Sequence, residues 1–197
     1  ALWNALCGEP RLLQVVTGPR QVGKTTISLQ VPQRWQGKKI YESADQPHTP
    51  DAGWILTHWK AARQLPLTAG KDTLLILDEV QKIPRWSEAV KALVDQDRRT
   101  GARLRVVLLG SSALLVQRGL TESLAGRFEL HRHMQWSFKE CEECFGLALD
   151  EFFIFGGYPG ALALRKDIAR WSRFVRDSLI ETVIGKDVLL MSPVQKP

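Results

Sequence analysis

The sequence contains one short stretch with glycine and lysine at a distinctive spacing: Gly18-Pro19-Arg20-Gln21-Val22-Gly23-Lys24-Thr25, followed by Thr26. It fits the pattern G-x-x-x-x-G-K-[ST]. Glycines let the backbone turn its N–H groups toward an anion, and the positive end of the following helix faces the same anion. In this pattern the lysine reaches the β- and γ-phosphates of a nucleoside triphosphate, and the threonine hydroxyl binds Mg²⁺. The stretch therefore predicts a phosphate-binding loop for ATP and magnesium.

Short apolar runs and helical patterns alternate on both sides of this loop. We predict strands at Leu12–Val16, Lys39–Glu42, Thr73–Leu77 and Leu104–Leu109. These runs are apolar on both faces, which is typical of parallel strands covered by helices on both sides. Helices are predicted at Lys24–Val31, where Pro32 is expected to end the helix, and at Asp51–Arg63, Trp86–Arg98 and Ser112–Gln117. The expected fold is α/β, a P-loop NTPase three-layer sandwich with a parallel central sheet.

The composition changes near residue 135, where helical patterns replace the alternation. Ser137 and Glu140 are spaced as a capping box, and further helices are predicted at Glu151–Phe155, Gly160–Lys166 and Ile168–Ile184. We therefore expect an ATPase core at residues 1–135 and a small helical, lid-like subdomain at residues 136–197. The chain stops without a terminating signal, so we expect this subdomain to be truncated at its C-terminus.

Two acidic residues, Asp78 and Glu79, end the most apolar of the predicted strands. The carboxyl ends of parallel strands meet at the edge that carries the phosphate loop. Asp78 is expected to hold Mg²⁺, mostly through water, and Glu79 to act as the general base for the attacking water. Ser111 follows another strand and is a candidate to sense the γ-phosphate or to position that water, although a plain helix cap explains a serine here almost as well.

Five segments in a fixed order resemble predicted prokaryotic ATPases of the AAA+ superfamily: GPRQVGKTT, LLILDEVQKIPRW, LLGSSALL, ESLAGRFEL and GGYP. The resemblance covers roughly residues 1–190, and related branches include the signal-transducing STAND-type ATPases. It implies Walker A at Gly18–Thr25, Walker B at Asp78 and Glu79, and a sensor-1-like Ser111. Such proteins typically carry a C-terminal domain that resembles restriction-type nucleases.

The resemblance also implies roles for residues that the pattern alone leaves open. Arg127 would be an arginine finger supplied by a neighbouring copy, whereas an arginine that opens a strand is more often a surface residue. Tyr158 and Pro159 would belong to a G-x-P element that packs a C-terminal subdomain against the nucleotide, although an ordinary turn fits equally well. Gln81 would relay the state of the γ-phosphate. The segment Tyr41–Asp45 departs from the family's usual Asp-rich strand end, so the resemblance implies no role for Asp45.

A second group of residues, separate from the phosphate-loop motif and the acidic pair, has the spacing of metal ligands. His131, His133, Cys141 and Cys144 form H-x-H-x7-C-x2-C, which has the residue types of a tetrahedral zinc site. Both histidines are expected on one strand and both cysteines on the helix that Ser137 begins. Cysteines three apart on a helix are also ordinary packing residues.

The composition is that of an ordinary globular protein, with 44% apolar and 24% charged residues and no apolar run long enough to span a membrane. The start of the chain lacks the pattern of a signal peptide, and its three cysteines fit a reducing compartment, so a cytoplasmic location is expected. The net charge of +6 admits a DNA or protein partner, but a solubilising surface explains it as well. The expected function is Mg²⁺-dependent ATP hydrolysis coupled to conformational change, with low turnover in the isolated fragment. The alternative is a nucleotide-gated switch or a nucleic-acid- or partner-binding module.

Overall fold

The computed structural model describes residues 1–9, 11–68, 71–111, 120 and 123–182. The chain divides into two compact units. The first comprises Ala1–Gly18 and Lys24–Arg132, and the second comprises Pro19–Gly23 and the chain from His133 onward. The middle of the phosphate-loop motif is thus grouped with the helical part of the chain, and its two ends with the sheet.

In the first unit, helices alternate with the strands of one sheet. The helices are α1 (Leu2–Cys7), α2 (Lys24–Arg34), α3 (Ala52–Gln64) and α4 (Trp86–Thr100). The strands are β1 (Leu13–Thr17), β2 (Lys39–Ser43), β3 (Thr73–Asp78), β4 (Leu104–Gly110) and β5 (Phe128–Arg132), and a short 3₁₀ turn spans Val80–Lys82. The described strands lie in the order β2-β3-β4-β1-β5, and every neighbouring pair is parallel.

Successive residues of the central strands pack into two different cores because side chains alternate between the faces of a strand. Leu75 and Leu77 of β3 join the core that contains Trp59 of α3 and Val90 of α4. The intervening residues Leu74 and Ile76 join the core on the other face, with Leu6 of α1 and Val31 of α2. The sheet is therefore covered on both faces, which confirms the predicted three-layer α/β fold.

The predicted strands agree with the observed ones to within one residue at each end, but three predictions about local structure were wrong. Pro32 does not end α2, which continues to Arg34. The reason is that proline near the end of a helix removes only one backbone hydrogen bond, while the Trp35 N–H still reaches Val31 and Pro32. His133 lies beyond β5, and the helix predicted at Gly160–Lys166 covers only Pro159–Leu162. The predicted Ser112–Gln117 helix lies outside the described residues.

The second unit is helical among its described residues. It contains α5 (Phe138–Phe145), α6 (Leu149–Phe155), α7 (Pro159–Leu162) and α8 (Ile168–Phe174), which runs into a π-helical turn at Val175–Ile180. The capping box predicted at Ser137 is confirmed, since its side chain accepts from the Glu140 N–H and Glu140 accepts from the Ser137 N–H. Cys141, Leu147 and Leu162 form a small core here. No helix in the described ranges is both long enough and apolar enough to cross a membrane.

Candidate active site

The order of the strands brings three predicted site elements to one edge of the sheet. β4 lies between β3 and β1, and the three strands are parallel. Asp78 is the last residue of β3, Ser111 follows β4, and the phosphate-loop motif follows β1. The carboxyl ends of neighbouring parallel strands are where α/β proteins bind ligands.

The phosphate-loop motif turns through backbone conformations that few residues adopt. Gly23 has φ +99°, a value that L side chains rarely reach, and Gln21 has φ 61°. Lys24 and Thr25 then begin α2. Along the motif, Gly18, Val22 and Lys24 are buried, Pro19, Arg20 and Gly23 are half-buried, and Gln21, Thr25 and Thr26 are exposed.

The Asp78 carboxylate accepts hydrogen bonds from three sides. Its Oδ2 accepts from the Tyr41 hydroxyl at 2.8 Å and from the Thr25 hydroxyl at 3.3 Å, and its Oδ1 accepts from the Glu79 N–H at 2.8 Å. Burial, together with the bond to this carboxylate, raises the pKa of Tyr41 well above its usual range, so the phenol stays a donor. Asp78 is therefore oriented by three donors and in direct contact with the threonine of the loop motif.

The oxygens of Thr25 and Asp78 suit a magnesium ion chemically. Mg²⁺ prefers hard oxygen ligands and usually keeps several of its water molecules, so it needs only a few protein groups. The Thr25 hydroxyl and the Asp78 carboxylate lie side by side on the edge where the phosphate-loop motif begins. These two residues therefore fit the ion that the motif implies.

Glu79 is held by two neighbouring side chains. Its Oε2 accepts from the Ser111 hydroxyl at 2.9 Å and from the Gln81 amide at 2.7 Å. Its backbone is left-handed, with φ 56°, a conformation that costs a non-glycine residue of the order of 1 kcal/mol and that clusters at functional sites. The Gln81 Oε1 atom is buried and has no hydrogen-bond partner among the described residues. Gln81 thus helps to hold the Glu79 carboxylate through its amide nitrogen, while its Oε1 atom is still able to accept a hydrogen bond.

In the second unit, side chains bind the middle of the phosphate-loop motif. The Trp136 indole N–H donates to the Val22 carbonyl at 3.2 Å, and His133 Nε2 lies 3.0 Å from the same oxygen. The Gln21 side-chain amide donates to the Ser178 carbonyl at 3.1 Å. These three contacts could not be predicted from the sequence, because no local pattern relates residues more than 100 positions apart.

The Gly157-Tyr158-Pro159 segment lies beside these contacts within the same unit. The Trp136 N–H donates to the Gly157 carbonyl at 2.8 Å, and a Cβ atom on Gly157 would lie only 2.0 Å from the Trp136 carbonyl oxygen. The Tyr158 hydroxyl accepts from the Gln135 amide at 2.9 Å, and Pro159 begins α7. A Cβ atom on Gly160 would lie 3.9 Å from Gln21 Oε1, so the start of α7 adjoins the phosphate-loop motif.

Arg127 lies away from the Asp78 edge, immediately before β5 begins. Its guanidinium binds both carboxylate oxygens of Asp95, with Nε at 2.7 Å and Nη2 at 3.1 Å. These bonds hold the pKa of the Asp95 carboxyl below its usual value. Arg127 is thus oriented by α4 of its own chain, and its action on a neighbouring copy stays a prediction.

The remaining candidates have other partners. Asp45 forms an ion pair with Lys82. His131 Nε2 lies 2.6 Å from the Gln14 side-chain oxygen, and burial lowers the pKa of this histidine. Cys141 is buried and Cys144 is exposed. In the part of the chain that the structure describes, no three His, Cys, Asp or Glu side chains are arranged to hold a metal ion.

Residues 11–142 match the AAA_14 family, which is described as an AAA domain. The chain belongs to this family. The match places an AAA domain at these residues. Thr25, Asp78, Glu79 and Ser111 lie within it, whereas Tyr158 and Pro159 lie beyond it.

Two relatives of this AAA chain cover nearly all of it. Uncharacterized protein Rv2008c of Mycobacterium tuberculosis and Uncharacterized protein Mb2031c of Mycobacterium bovis are each 31% identical to it over 189 residues. The match covers 95% of this chain but only 38% of the length of either relative. The Walker-type ATPase of Pyrococcus abyssi has a similar fold, with a TM-score of 0.62 at 15% identity, over 98% of this chain and 74% of that one.

Proposed function

We propose that this chain binds ATP with Mg²⁺ at residues 18–26 and hydrolyses it. The observation that carries the proposal is the contact between the Thr25 hydroxyl and the Asp78 carboxylate, 53 residues apart in sequence and 3.3 Å apart in space. The contact joins the threonine of a phosphate-loop motif, which follows β1, to the acid that ends β3, a strand separated from β1 by β4. Family membership supports the same proposal.

Each residue of the site has a distinct proposed role. Lys24 neutralises charge on the β- and γ-phosphates, and the backbone of the motif binds the phosphate oxygens. Thr25 and Asp78 hold the magnesium ion, which when bound withdraws charge from the phosphates. Glu79 accepts the proton of the attacking water.

Ser111 and Gln81 position Glu79 rather than react themselves. Both donate to its Oε2, which leaves Oε1 to accept a proton from water. The unsatisfied Gln81 Oε1 is a second acceptor for the other hydrogen of that water. A water molecule held by two acceptors presents its lone pair toward a third group, as in-line attack on phosphorus requires.

A Glu79→Gln variant tests the catalytic role. Because the amide keeps the shape of the carboxylate but is a poor base, we expect turnover to fall at least about 100-fold, the usual contribution of a positioned base. ATP affinity should stay within about twofold, since Glu79 is not proposed to bind the phosphates. Glu129→Gln, at an exposed position on β5, is the matched control and should behave as wild type. Unchanged turnover in Glu79→Gln would refute the base assignment.

We also propose that a neighbouring copy supplies Arg127, so that isolated chains turn over slowly. In that case specific activity rises with protein concentration, and Arg127→Ala abolishes the rise. Asp95→Ala removes the same ion pair but keeps the guanidinium, so it separates the finger from a structural role. Equal losses in both variants would show that the ion pair alone matters.

A second candidate function is a nucleotide-gated switch with little turnover. The bonds from Trp136 and Gln21 favour it, because the middle of the phosphate-loop motif and the helical segment belong to one unit. A change of loop conformation on ATP binding would then move the helices, with Tyr158 and Pro159 beside the nucleotide as in STAND-type ATPases. In a longer protein, a nuclease-like domain would be one domain whose activity this movement controls. Single-turnover kinetics discriminates the two: hydrolysis faster than ATP release favours the enzyme, and the reverse favours the switch.

A further inference from the structure

A cavity of about 390 Å³ opens in the first unit, at the edge of the sheet opposite to Asp78. It lies where strands β1, β3 and β4 begin, beside α1 and the residues that follow α2. Its volume falls within the range of about 300–1,000 Å³ that is usual for small-molecule sites. The ATPase chemistry proposed above uses none of the residues that line it.

The cavity is strongly cationic. Five basic side chains line it: Arg11, Arg34, Lys71, Arg103 and Arg105. Two carboxylates oppose them, Asp72 in the wall and Glu9, which binds Arg11 and Arg105. The local net charge is therefore +3, half of the formal charge of the whole chain.

Asp72 orients the arginines rather than neutralising the cavity. Its buried carboxylate accepts from Arg105 Nε and from Arg103 Nε, each at 2.9 Å, and lies 3.3 Å from Arg11 Nε. Burial alone would raise the pKa of this carboxyl, but the bonds from Arg103 and Arg105 outweigh it and the pKa is lowered. A buried ionic network carries a desolvation cost, so its presence away from the ATPase site calls for a local explanation.

Two exposed cations at the cavity have no acidic partner in the described ranges. Arg34 ends α2 and Lys71 precedes β3, and neither forms an ion pair with any residue that the structure describes. Both remain available to an anion from solution.

Two indole rings complete the cavity. Trp3 and Trp35 pack edge to face with centroids 6.2 Å apart. The Trp35 indole N–H donates to the Asp72 carbonyl at 3.0 Å, which fixes its ring beside the arginine cluster. Aromatic rings beside cations are the combination that binds a stacked base and its phosphate together.

We propose that this cavity binds a nucleoside phosphate, with the phosphate at Arg34 and Lys71 and the base against Trp3 and Trp35. This nucleoside phosphate can be a free mononucleotide or one unit of a single-stranded nucleic acid. A cavity with positive charge but no indole rings would suit any anion. A cavity with indole rings but no charge would suit any apolar group. Their meeting in one cavity of this size selects a ligand that carries both a phosphate and a ring.

The test uses the full chain carrying Lys24→Ala, so that the phosphate-loop motif does not contribute binding. One arm titrates it into a 5′-fluorescein-labelled oligothymidylate and follows anisotropy, and the other titrates AMP by calorimetry. In whichever of the two titrations shows binding, the Arg34→Ala/Lys71→Ala double variant should bind at least about tenfold more weakly. For the oligonucleotide it should also lower the slope of log affinity against log salt by about 1.4, since each cation contributes about 0.7 on a single strand.

Three further variants distinguish binding at this cavity from nonspecific electrostatic binding to the protein surface. Lys60→Ala/Lys91→Ala removes two exposed lysines of α3 and α4 and so the same net charge, and it should change affinity less than twofold. Trp3→Ala should weaken binding and Trp3→Phe should restore most of it, since stacking needs only an aromatic ring. AMP binding without oligonucleotide binding supports the free-mononucleotide source, and the reverse supports nucleic acid. Equal losses in the two double variants, or no binding in either arm, would overturn the proposal.

Discussion

Replacing Ser111 by alanine should slow hydrolysis without weakening ATP binding. The Ser111 hydroxyl donates to Glu79 Oε2 at 2.9 Å, and a hydrogen bond to a charged group contributes about 1.5–3 kcal/mol. If the whole of that energy orients the base in the transition state, kcat falls about 10- to 150-fold. Because Gln81 still donates to the same oxygen at 2.7 Å, we expect the lower end, about tenfold. KM should change little, since the serine is not proposed to bind ATP.

Single-turnover hydrolysis of radiolabelled ATP, with protein in excess, measures this effect without interference from product release. Ser111→Thr keeps a hydroxyl and should retain most of the activity. In a Glu79→Gln background, Ser111→Ala should cause no further loss, because the side chain that it positions has already lost its function. A tenfold loss that persists in that background would show that Ser111 acts independently of Glu79, and the positioning role would be wrong.

Three more predictions follow from other contacts. Trp136→Phe removes the N–H that binds the Val22 carbonyl; calorimetry should show ATP affinity about 2- to 13-fold weaker, the worth of a neutral hydrogen bond. Thr25→Ala removes an oxygen beside Asp78 and should raise the Mg²⁺ concentration for half-maximal hydrolysis about tenfold or more, in a metal titration at saturating ATP. Because the folded-state pKa of Asp72 is lowered, its stabilising effect is present above its ordinary value of 3.8 and is lost as the pH falls below it. Urea unfolding should therefore show a smaller acid loss of stability in Asp72→Asn than in wild type.

The sheet and the acidic strand end could be predicted because their signals are local. Each buried strand is a short apolar run, and parallel strands that end at one edge bring together side chains such as Asp78 and Ser111. Tyr41 was missed because its bond to Asp78 depends on β2 lying next to β3, and strand order is not visible in a single sequence. The signal that could have found it is a polar aromatic residue near the end of a strand that leads toward the same edge.

Contacts between segments that lie far apart in the sequence also could not be predicted. Arg127 meets Asp95 only once α4 has packed on the sheet, and nothing in the sequence around either residue relates the two. Trp136 reaches Val22 across 114 positions, so its many possible roles could not be narrowed to one. Pro32 was misjudged for a different reason. Proline removes only its own backbone hydrogen bond, and the later Trp35 N–H still bonds to the Val31 and Pro32 carbonyls, so α2 continues to Arg34.

Calorimetric titration of the purified chain with ATP in excess Mg²⁺ tests the central claim most directly. Wild type should bind one ATP per chain at residues 18–26, separately from any nucleotide held at the cavity of Arg34 and Lys71. Lys24→Ala should lose most of the affinity for that ATP, because Lys24 lies at the start of α2, where the phosphate-loop motif meets the helix. Lys60→Ala, at an exposed position on α3, is the matched control and should bind as wild type. Undetectable binding by wild type, or equal affinity in wild type and Lys24→Ala, would contradict the assignment of residues 18–26 as a nucleotide site.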